Sequence, residues 1–136
     1  MAIGLRVDEQ KQLLIATAEG VVDDQHLIQF DSVLRENEMF QRGCPLLVDL
    51  TRLRPGETKL TGWGIYRIKE LTEKDINMVA IVAVDEVAFG MARMYETIGN
   101  WCFDRIRVFK AMPEAYDWLS VPSQPLAEKE SEARRD

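Results

Sequence analysis

Residues 78–84 read MVAIVAV, an apolar run made almost wholly of β-branched or small side chains. Such a run without polar alternation is typical of a strand that is covered on both faces. Asp85 follows immediately and is a suitable helix cap, so the sequence predicts a central strand leading directly into a helix. We predict the buried stripe of that helix from side chains at helical spacing, namely Val87, Met91, Met94 and Ile98.

Four further strands are predicted around this one. Residues 45–50, PLLVDL, form a second short apolar run. Near the start of the chain, Ile3, Leu5 and Val7 alternate with polar residues or glycine, and LLIATA follows after a polar turn, which indicates a hairpin that ends near Gly20. RIRVF at residues 105–109 is predicted to be an edge strand.

Three helices are predicted besides the one after Asp85. The first begins after Asp23 or Asp24, buries Leu27, Phe30 and Leu34, and ends near Asn37. The second is a weaker pattern over residues 60–71, and the last closes the domain after Pro113.

The predicted order is therefore ββαβαβαβα, which is an α/β fold. Strands that alternate with helices favour right-handed crossovers and a mainly parallel sheet. We expect a mixed sheet of about five strands with four helices, in which the first hairpin supplies the antiparallel member. Residues 1–120 form one domain, and the charged, proline-containing residues 121–136 are predicted to be a disordered tail.

Composition limits the classes of function. The chain has 46% apolar and 29% charged residues, and no apolar run approaches the roughly 18 to 20 residues that span a bilayer. The N-terminus lacks the pattern of a secretory signal, so we expect a cytoplasmic protein with Cys44 and Cys102 reduced. The net charge of -6 opposes binding to nucleic acid.

A candidate site lies in residues 48–64, VDLTRLRPGETKLTGWG. Ligands of open α/β sheets bind where loops leave the carboxyl ends of the strands, so we expect the turns after Leu50 and Val84 to share one sheet edge. Thr58 and Thr61 are predicted at a helix N-terminus, where free N–H groups favour an anion. The predicted ligand or partner contacts at this edge are Asp49, Arg52, Arg54, Asp85, Phe89 and Arg93, and the predicted phosphorylation sites are Thr51, Thr58 and Thr61.

Structural alternatives exist for several of these residues. Thr58, Thr61 and Asp85 are also ordinary helix caps. Arg93 either pairs with Glu96 on an exposed helix face or, together with Phe89, forms the wall of a crevice that takes an anionic group. Two carboxylates on adjacent strand ends could bind a hard cation, but the sequence offers no third ligand at a defined spacing, and we predict neither a metal nor a cofactor.

Three stretches together resemble the STAS domain and, within it, the SpoIIAA-like group: VDL before the Thr-bearing loop, AIVAVDEVAFGMARMYE, and IRVFKAMPEAYDWL. The likeness covers about residues 3–119. In that family of anti-sigma-factor antagonists, the matching strand ends in Asp followed by a Ser/Thr pair and Gly, and a partner kinase phosphorylates one hydroxyl. Asp49 and Thr51 lie near those places, although Leu50 intervenes and RLRPGETKL lengthens the loop before Thr61. The resemblance implies a protein partner, either a kinase or an anti-sigma-like protein.

Three functions follow from these observations. The first is a non-enzymatic regulatory module that binds a protein partner and is switched by threonine phosphorylation. The second is a carrier or sensor of an anionic or lipid-like molecule, bound between the 51–62 loop and the helix after Asp85. The third is an enzyme with Asp49 or Asp85 as a general base, although no catalytic motif occurs.

An aromatic surface is a further expectation. The chain has more aromatic side chains between residues 63 and 103 than one small core needs, and we expect some of them to form either a homodimer surface or a partner surface. The residues concerned are Trp63, Tyr66, Tyr95, Trp101 and Phe103.

Overall fold

A computed structural model describes residues 2–54, 77–99 and 105–120 of the 136-residue chain. Five strands in these ranges form one sheet with the spatial order β1-β2-β3-β4-β5. Their bounds are Ile3–Asp8 for β1, Leu13–Gly20 for β2, Leu46–Leu53 for β3, Val79–Val82 for β4 and Ile106–Phe109 for β5.

The pairing of the strands confirms the predicted mixed sheet. β1 pairs with β2 antiparallel, whereas β2, β3, β4 and β5 are parallel to one another. Parallel neighbours require crossover connections, and helices occur in the described connections between β2 and β3 and between β4 and β5.

Four helices are described. They are α1 at Asp24–Glu36, the short α2 at Glu38–Gln41, α3 at Glu86–Gly99 and α4 at Met112–Ser120. Asp23 caps α1 as predicted, since its Oδ1 accepts a hydrogen bond of 2.9 Å from the His26 N–H, and the helix ends at Asn37. Asn37 then caps α2, a turn of helix that the periodicity of the sequence did not predict because it is only four residues long.

The helices cover the two faces of the sheet unequally. Face one is the face that carries Ile3, Leu14, Leu46 and Ile81, and it packs against α1, α2 and α3. Face two is the face that carries Leu13, Ile15, Leu47 and Val82, and it packs against α4. Because successive side chains of a strand point to opposite faces, each central strand contributes to both clusters.

The end of β3 differs from the prediction. We expected the strand to stop at Leu50, but it continues to Leu53, which pairs with Gly20 of β2. Thr51 and Arg52 are therefore strand residues. The adjacent β2 is long enough to continue the ladder past the end of β4, and this tertiary pairing overrides the turn signal that follows in the sequence.

The predicted buried stripe of α3 is wrong at Val87 and Met94, whereas Met91 packs against the face-one core. Val87 is 56% exposed and Met94 is 43% exposed, whereas Ala88 and Ala92 are buried. The periodicity pointed to the largest apolar side chains, but the helix directs small side chains at the sheet. The side chain of Ile98 lies outside the described residues.

Several predictions also lie outside the described residues, namely the helix over residues 60–71, the tail at residues 121–136 and the state of Cys102. Cys44 is described and is a free thiol. Of the helices in the described ranges, none combines the length and the apolar character needed to cross a bilayer.

Candidate functional site

The carboxyl ends of β3 and β4 lie at the same edge of the sheet, as predicted. The two strands are parallel, with Asp49 of β3 opposite Val82 of β4. β4 ends at Val82, while β3 runs four residues further. The end of β3 therefore projects beyond β4 with its polar residues beside β2.

Asp49 and Thr51 form a local pair on this projecting end. The Asp49 carboxylate oxygen Oδ1 accepts a hydrogen bond of 2.6 Å from the Thr51 hydroxyl and one of 2.9 Å from the Thr51 N–H. Thr51 is exposed and Asp49 is half-buried. Asp49 is on face two, because it shares the side of its partner Val82. The register of β3 against β2 shifts between Asp49 and Arg52, so the position of the Thr51 hydroxyl is given by its bond to Asp49 and not by strand alternation. An exposed hydroxyl is thus held next to a carboxylate.

The two arginines of the stretch lie at the border with β2. Arg52 Nη1 is 3.1 Å from Glu19 Oε1 across the strand pair, and both side chains are more than half exposed. The backbone N–H of Arg54 donates a hydrogen bond to the Gly20 carbonyl, and its side chain is exposed. Both guanidinium groups can reach solvent within a few residues of Thr51.

Asp85 caps α3, which confirms the structural alternative for this residue. Its carboxylate oxygen Oδ2 accepts hydrogen bonds from the backbone N–H groups of Val87, at 2.9 Å, and Ala88, at 3.3 Å. The first turn of a helix leaves its N–H groups without intrahelical partners, and a carboxylate at this position satisfies two of them.

Phe89 and Arg93 lie on α3, on the opposite side of the sheet from the Asp49 side chain. Phe89 packs against the face-one core, and Lys110 Nζ lies 4.9 Å from the centre of its ring. Arg93 Nε is 3.4 Å from Glu96 Oε1, the pairing expected for an exposed helix face. Because α3 covers face one, the sheet separates Phe89 and Arg93 from Asp49.

The remaining predicted positions are only partly described. Thr58 and Thr61 lie outside the described residues, as do four of the five aromatic residues expected to form a surface. The fifth, Tyr95, is half-buried against the face-one core. Within the described ranges, no three His, Cys, Asp or Glu side chains come together in a group that could hold a metal ion.

A second candidate site is an apolar cavity of about 130 Å³ between face one, α1 and α3. It is partly open to solvent, and nearly all of its surface is apolar. Leu27, Phe30 and Leu34 of α1 line one side, and Met91, Ala92 and Tyr95 of α3 line another. The strands contribute further lining residues, among them Ile3, Ala18, Leu46, Val48, Leu50, Leu53, Val79 and Ile81.

Two buried charged residues also border the cavity, namely Asp31 of α1 and Arg105, which precedes β5. Asp31 Oδ2 is 2.8 Å from Arg35 Nε, one turn further along α1. A second bond joins Asp31 Oδ1 to Arg35 Nη2 at 3.4 Å. The cavity thus combines an apolar wall with polar groups at its border.

Sequence reasoning missed this cavity. None of the six predicted contact residues borders it, and Tyr95, which does, was expected to form part of an aromatic surface. Apolar residues of a packed core and apolar residues that line a cavity recur at the same helical or strand spacing. The sequence pattern therefore does not distinguish the two kinds of residue. Only the distance between α1 and α3 decides whether their apolar faces meet.

Solved structures show what fold this arrangement defines. A protein of the DUF3478 family from Shewanella loihica PV-4, described as uncharacterized and having a SpoIIAA-like fold, matches with a TM-score of 0.55 at 22% identity. That match covers 87% of this chain and 92% of the other. The anti-sigma factor antagonist SpoIIAA in its unphosphorylated form matches with a TM-score of 0.51 at 14% identity, over 87% of this chain and 97% of the other.

These two matches establish a SpoIIAA-like fold for the chain, as the resemblance in the sequence implied. Neither a protein-family model nor a curated protein sequence matches it significantly. At identities of 22% and 14% the likeness concerns the fold, so any activity must be argued from the residues of this chain.

Proposed function

We propose that the protein is a non-enzymatic regulatory module of the cytoplasm that binds a protein partner, and that phosphorylation of Thr51 controls this binding. The fold it shares with an anti-sigma factor antagonist supports the regulatory role. The observation that carries the proposal is the exposed Thr51 hydroxyl at the projecting end of β3, 2.6 Å from Asp49 Oδ1.

Phosphorylation would change this end of β3 by electrostatics. A partner kinase would transfer the γ-phosphoryl group of its bound nucleotide to Thr51 Oγ1, adding roughly -1.5 to -2 charges. The hydroxyl proton that now bonds Asp49 would be lost, and the new dianion would repel the Asp49 carboxylate. Arg52, which faces Glu19, is the nearest described cation in sequence and could turn toward the phosphate.

Thr58 and Thr61 are the other two phosphorylation candidates, and both stay predictions. The predicted partner contacts nearest Thr51 in the chain are Asp49 and Arg52 of β3 and Arg54, which follows the strand. Asp85, Phe89 and Arg93 have the structural roles described above. A partner that binds the phosphorylated Thr51 would therefore contact β3 rather than the outer side of α3.

The test is phosphosite mapping followed by a binding comparison. Mass spectrometry of the protein isolated from its native cells should locate phosphate on Thr51, or else on Thr58 or Thr61. The partner recovered by cross-linking to the wild type should then bind Thr51→Ala and Thr51→Glu variants with different affinities. Thr97→Ala is the matched control, because Thr97 is also exposed and its hydroxyl bonds only the local Arg93 carbonyl in α3. Equal binding by all three variants would refute the switch at Thr51.

A second function is supported by the cavity. We propose that a small apolar or lipid-like molecule binds there, so that the protein acts as a carrier or sensor. The cavity volume of about 130 Å³ is close to that of an engineered cavity that holds benzene, and its apolar wall offers water few hydrogen bonds. The cavity is lined by Leu53 and by the helix after Asp85, and residues 55–62 of the loop named in the predicted crevice lie outside the described residues.

Native mass spectrometry of freshly purified protein tests the second function. A retained molecule should appear as a discrete mass increment, and its removal should lower the Tm because ligand binds only the folded state. Ala92→Leu, which fills part of the cavity wall, should reduce the retained fraction, whereas Thr51→Ala should leave it unchanged. Protein that carries no molecule, and whose Tm does not rise with added medium-chain fatty acid, would exclude a carrier of lipid-like ligands.

A further inference from the structure

The outer edge of β1 carries backbone groups that point away from the sheet. In an antiparallel pair, directly opposed residues alternate between hydrogen-bonded pairs and pairs whose N–H and C=O groups point outward. The Glu19 N–H donates a 2.8 Å hydrogen bond to the Ala2 carbonyl, so Ala2 and Glu19 are a hydrogen-bonded pair. This pair fixes the phase of the ladder, that is, which residues of β1 belong to the hydrogen-bonded pairs. Counting from that pair, the residues of β1 whose backbone groups point outward are Ile3, Leu5 and Val7.

A second bond supports this phase. Leu14, which is opposite Val7, donates its N–H to the Pro45 carbonyl at 3.0 Å, on the side of β3 and away from β1. The Val7 and Leu14 pair is therefore not hydrogen-bonded, as the phase requires. Val7 is also 38% exposed, so an apolar side chain accompanies the outward backbone groups at this edge.

β5, the edge strand on the other side of the sheet, is protected against pairing with another chain. The outward N–H of Val108 in β5 donates a hydrogen bond of 3.0 Å to Glu96 Oε2 of α3. The side chain of Glu96 is only 17% exposed, so the carboxylate is held over the strand edge. Edge strands invite pairing with another chain unless a side chain covers them. In the part of the chain that the structure describes, β1 has no comparable cover.

We propose that β1 is a self-association edge, at which two copies of the chain pair antiparallel with Leu5 opposite Leu5 of the second copy. This arrangement places Ile3 of each copy opposite Val7 of the other. All three outward-pointing residues of each strand then lie in hydrogen-bonded pairs, which gives about six intermolecular backbone hydrogen bonds. The two sheets become one sheet of ten strands, and this pairing requires neither the phosphate nor the ligand proposed above.

The side chains of β1 favour this register. With Leu5 opposite Leu5, Arg6 of one copy lies opposite Gly4 of the other, and a Cβ built on Gly4 meets nothing within 4 Å. Gly4 thus leaves room for the arginine side chain. A shift by one residue in each copy would place Arg6 opposite Arg6, and like charges in directly opposed positions destabilise a strand pair. The strand is therefore complementary to itself in the register that pairs all three of its outward-pointing residues.

The backbone contribution is tested with proline. The Leu5 N–H makes no bond to β2, so Leu5→Pro removes an intermolecular donor while leaving the β1–β2 ladder intact. Leu5→Ala is the control, because it shortens the side chain and keeps the N–H. In sedimentation equilibrium from micromolar to near-millimolar protein, the wild type should show a reversible dimer, and Leu5→Pro should raise the dimer Kd about tenfold or more above that of Leu5→Ala.

The register is tested with charge. Gly4→Glu would face Arg6 of the second copy and should lower the dimer Kd by about threefold to tenfold, whereas Gly4→Arg should raise it by a similar factor. Combining Gly4→Arg with Arg6→Glu restores opposite charges and should restore dimerisation. These surface variants remain informative even if the proline variant does not fold. A wild type that is monomeric throughout, or equal effects of Gly4→Glu and Gly4→Arg, would overturn the proposal.

Discussion

The two faces of the sheet are packed to different degrees. Where α4 covers face two, Leu47 and Val82 of the sheet and Ala115 of the helix are completely buried. On face one, α1 and α3 stand apart over a cavity of about 130 Å³. Phe30 and Tyr95, which line that cavity from the two helices, are only half-buried.

The difference teaches how one sheet can provide both stability and a binding site. Side chains beside unfilled space have fewer packing contacts, and a bound apolar molecule would restore such contacts and stabilise the folded state.

The largest expected effect comes from two neighbouring leucines on opposite faces. Leu47 on face two is 0% exposed and Leu46 on face one is 3% exposed, so burial alone predicts equal effects. Leu46 borders the cavity, and it has fewer packing contacts to lose. We expect Leu47→Ala to reduce the free energy of unfolding by about 4 kcal/mol and Leu46→Ala by about 2 kcal/mol. Urea denaturation of both variants measures this, and equal losses would mean that the two faces are equally well packed.

An intermediate effect is expected from two alanines on helices that cover opposite faces. Ala92→Leu extends into the cavity beneath α3, whereas Ala115→Leu must displace closely packed atoms beneath α4. The first should change the free energy of unfolding by less than about 1 kcal/mol, and the second should lower it by about 1 to 3 kcal/mol. Urea denaturation measures the free energy of unfolding of both variants, and the two values can be compared if the m-values of the variants are equal. If Ala92→Leu is as costly as Ala115→Leu, the cavity does not accept added volume.

The smallest effect concerns the start of α3, the helix that covers the cavity. Asp85→Ala removes the acceptor for the Val87 and Ala88 N–H groups and should cost about 1 kcal/mol. Asp85→Asn should cost almost nothing, because asparagine caps as well as aspartate does. Thermal unfolding measures both. A loss of ligand or partner binding in Asp85→Asn, without a loss of stability, would show that the carboxylate does more than cap the helix.

Much of the fold could be predicted because it depends on short-range patterns. The β-branched run at residues 78–84 and the capping aspartates at positions 23 and 85 act within a few residues of themselves. The order of strands and helices then leaves few sheet topologies, since parallel neighbours need crossovers of one hand. The short α2 and the extension of β3 to Leu53 were missed, because a single helical turn and a neighbouring strand leave little periodic signal.

The candidate site was predicted less completely. The shared edge of β3 and β4 and the position of Asp49 and Thr51 there followed from the parallel sheet. Whether Phe89 and Arg93 reach the same place depended on which face α3 covers, and the sequence does not specify the face of a crossover helix relative to a loop. The α3 stripe was misassigned for a related reason, since the choice between Val87 and Ala88 depends on how closely the helix approaches the sheet.

The sequence by itself determined the elements of this protein, their order, the mainly parallel sheet and the helix caps, because each of these follows from backbone preferences and side-chain spacing along a short stretch. Only the tertiary structure decided that the Asp49 side chain lies on the face opposite α3, that α1 and α3 leave a cavity, and that Glu96 covers one edge strand. These features depend on distances between elements that are far apart in the chain, and residue spacing within an element carries no record of such distances.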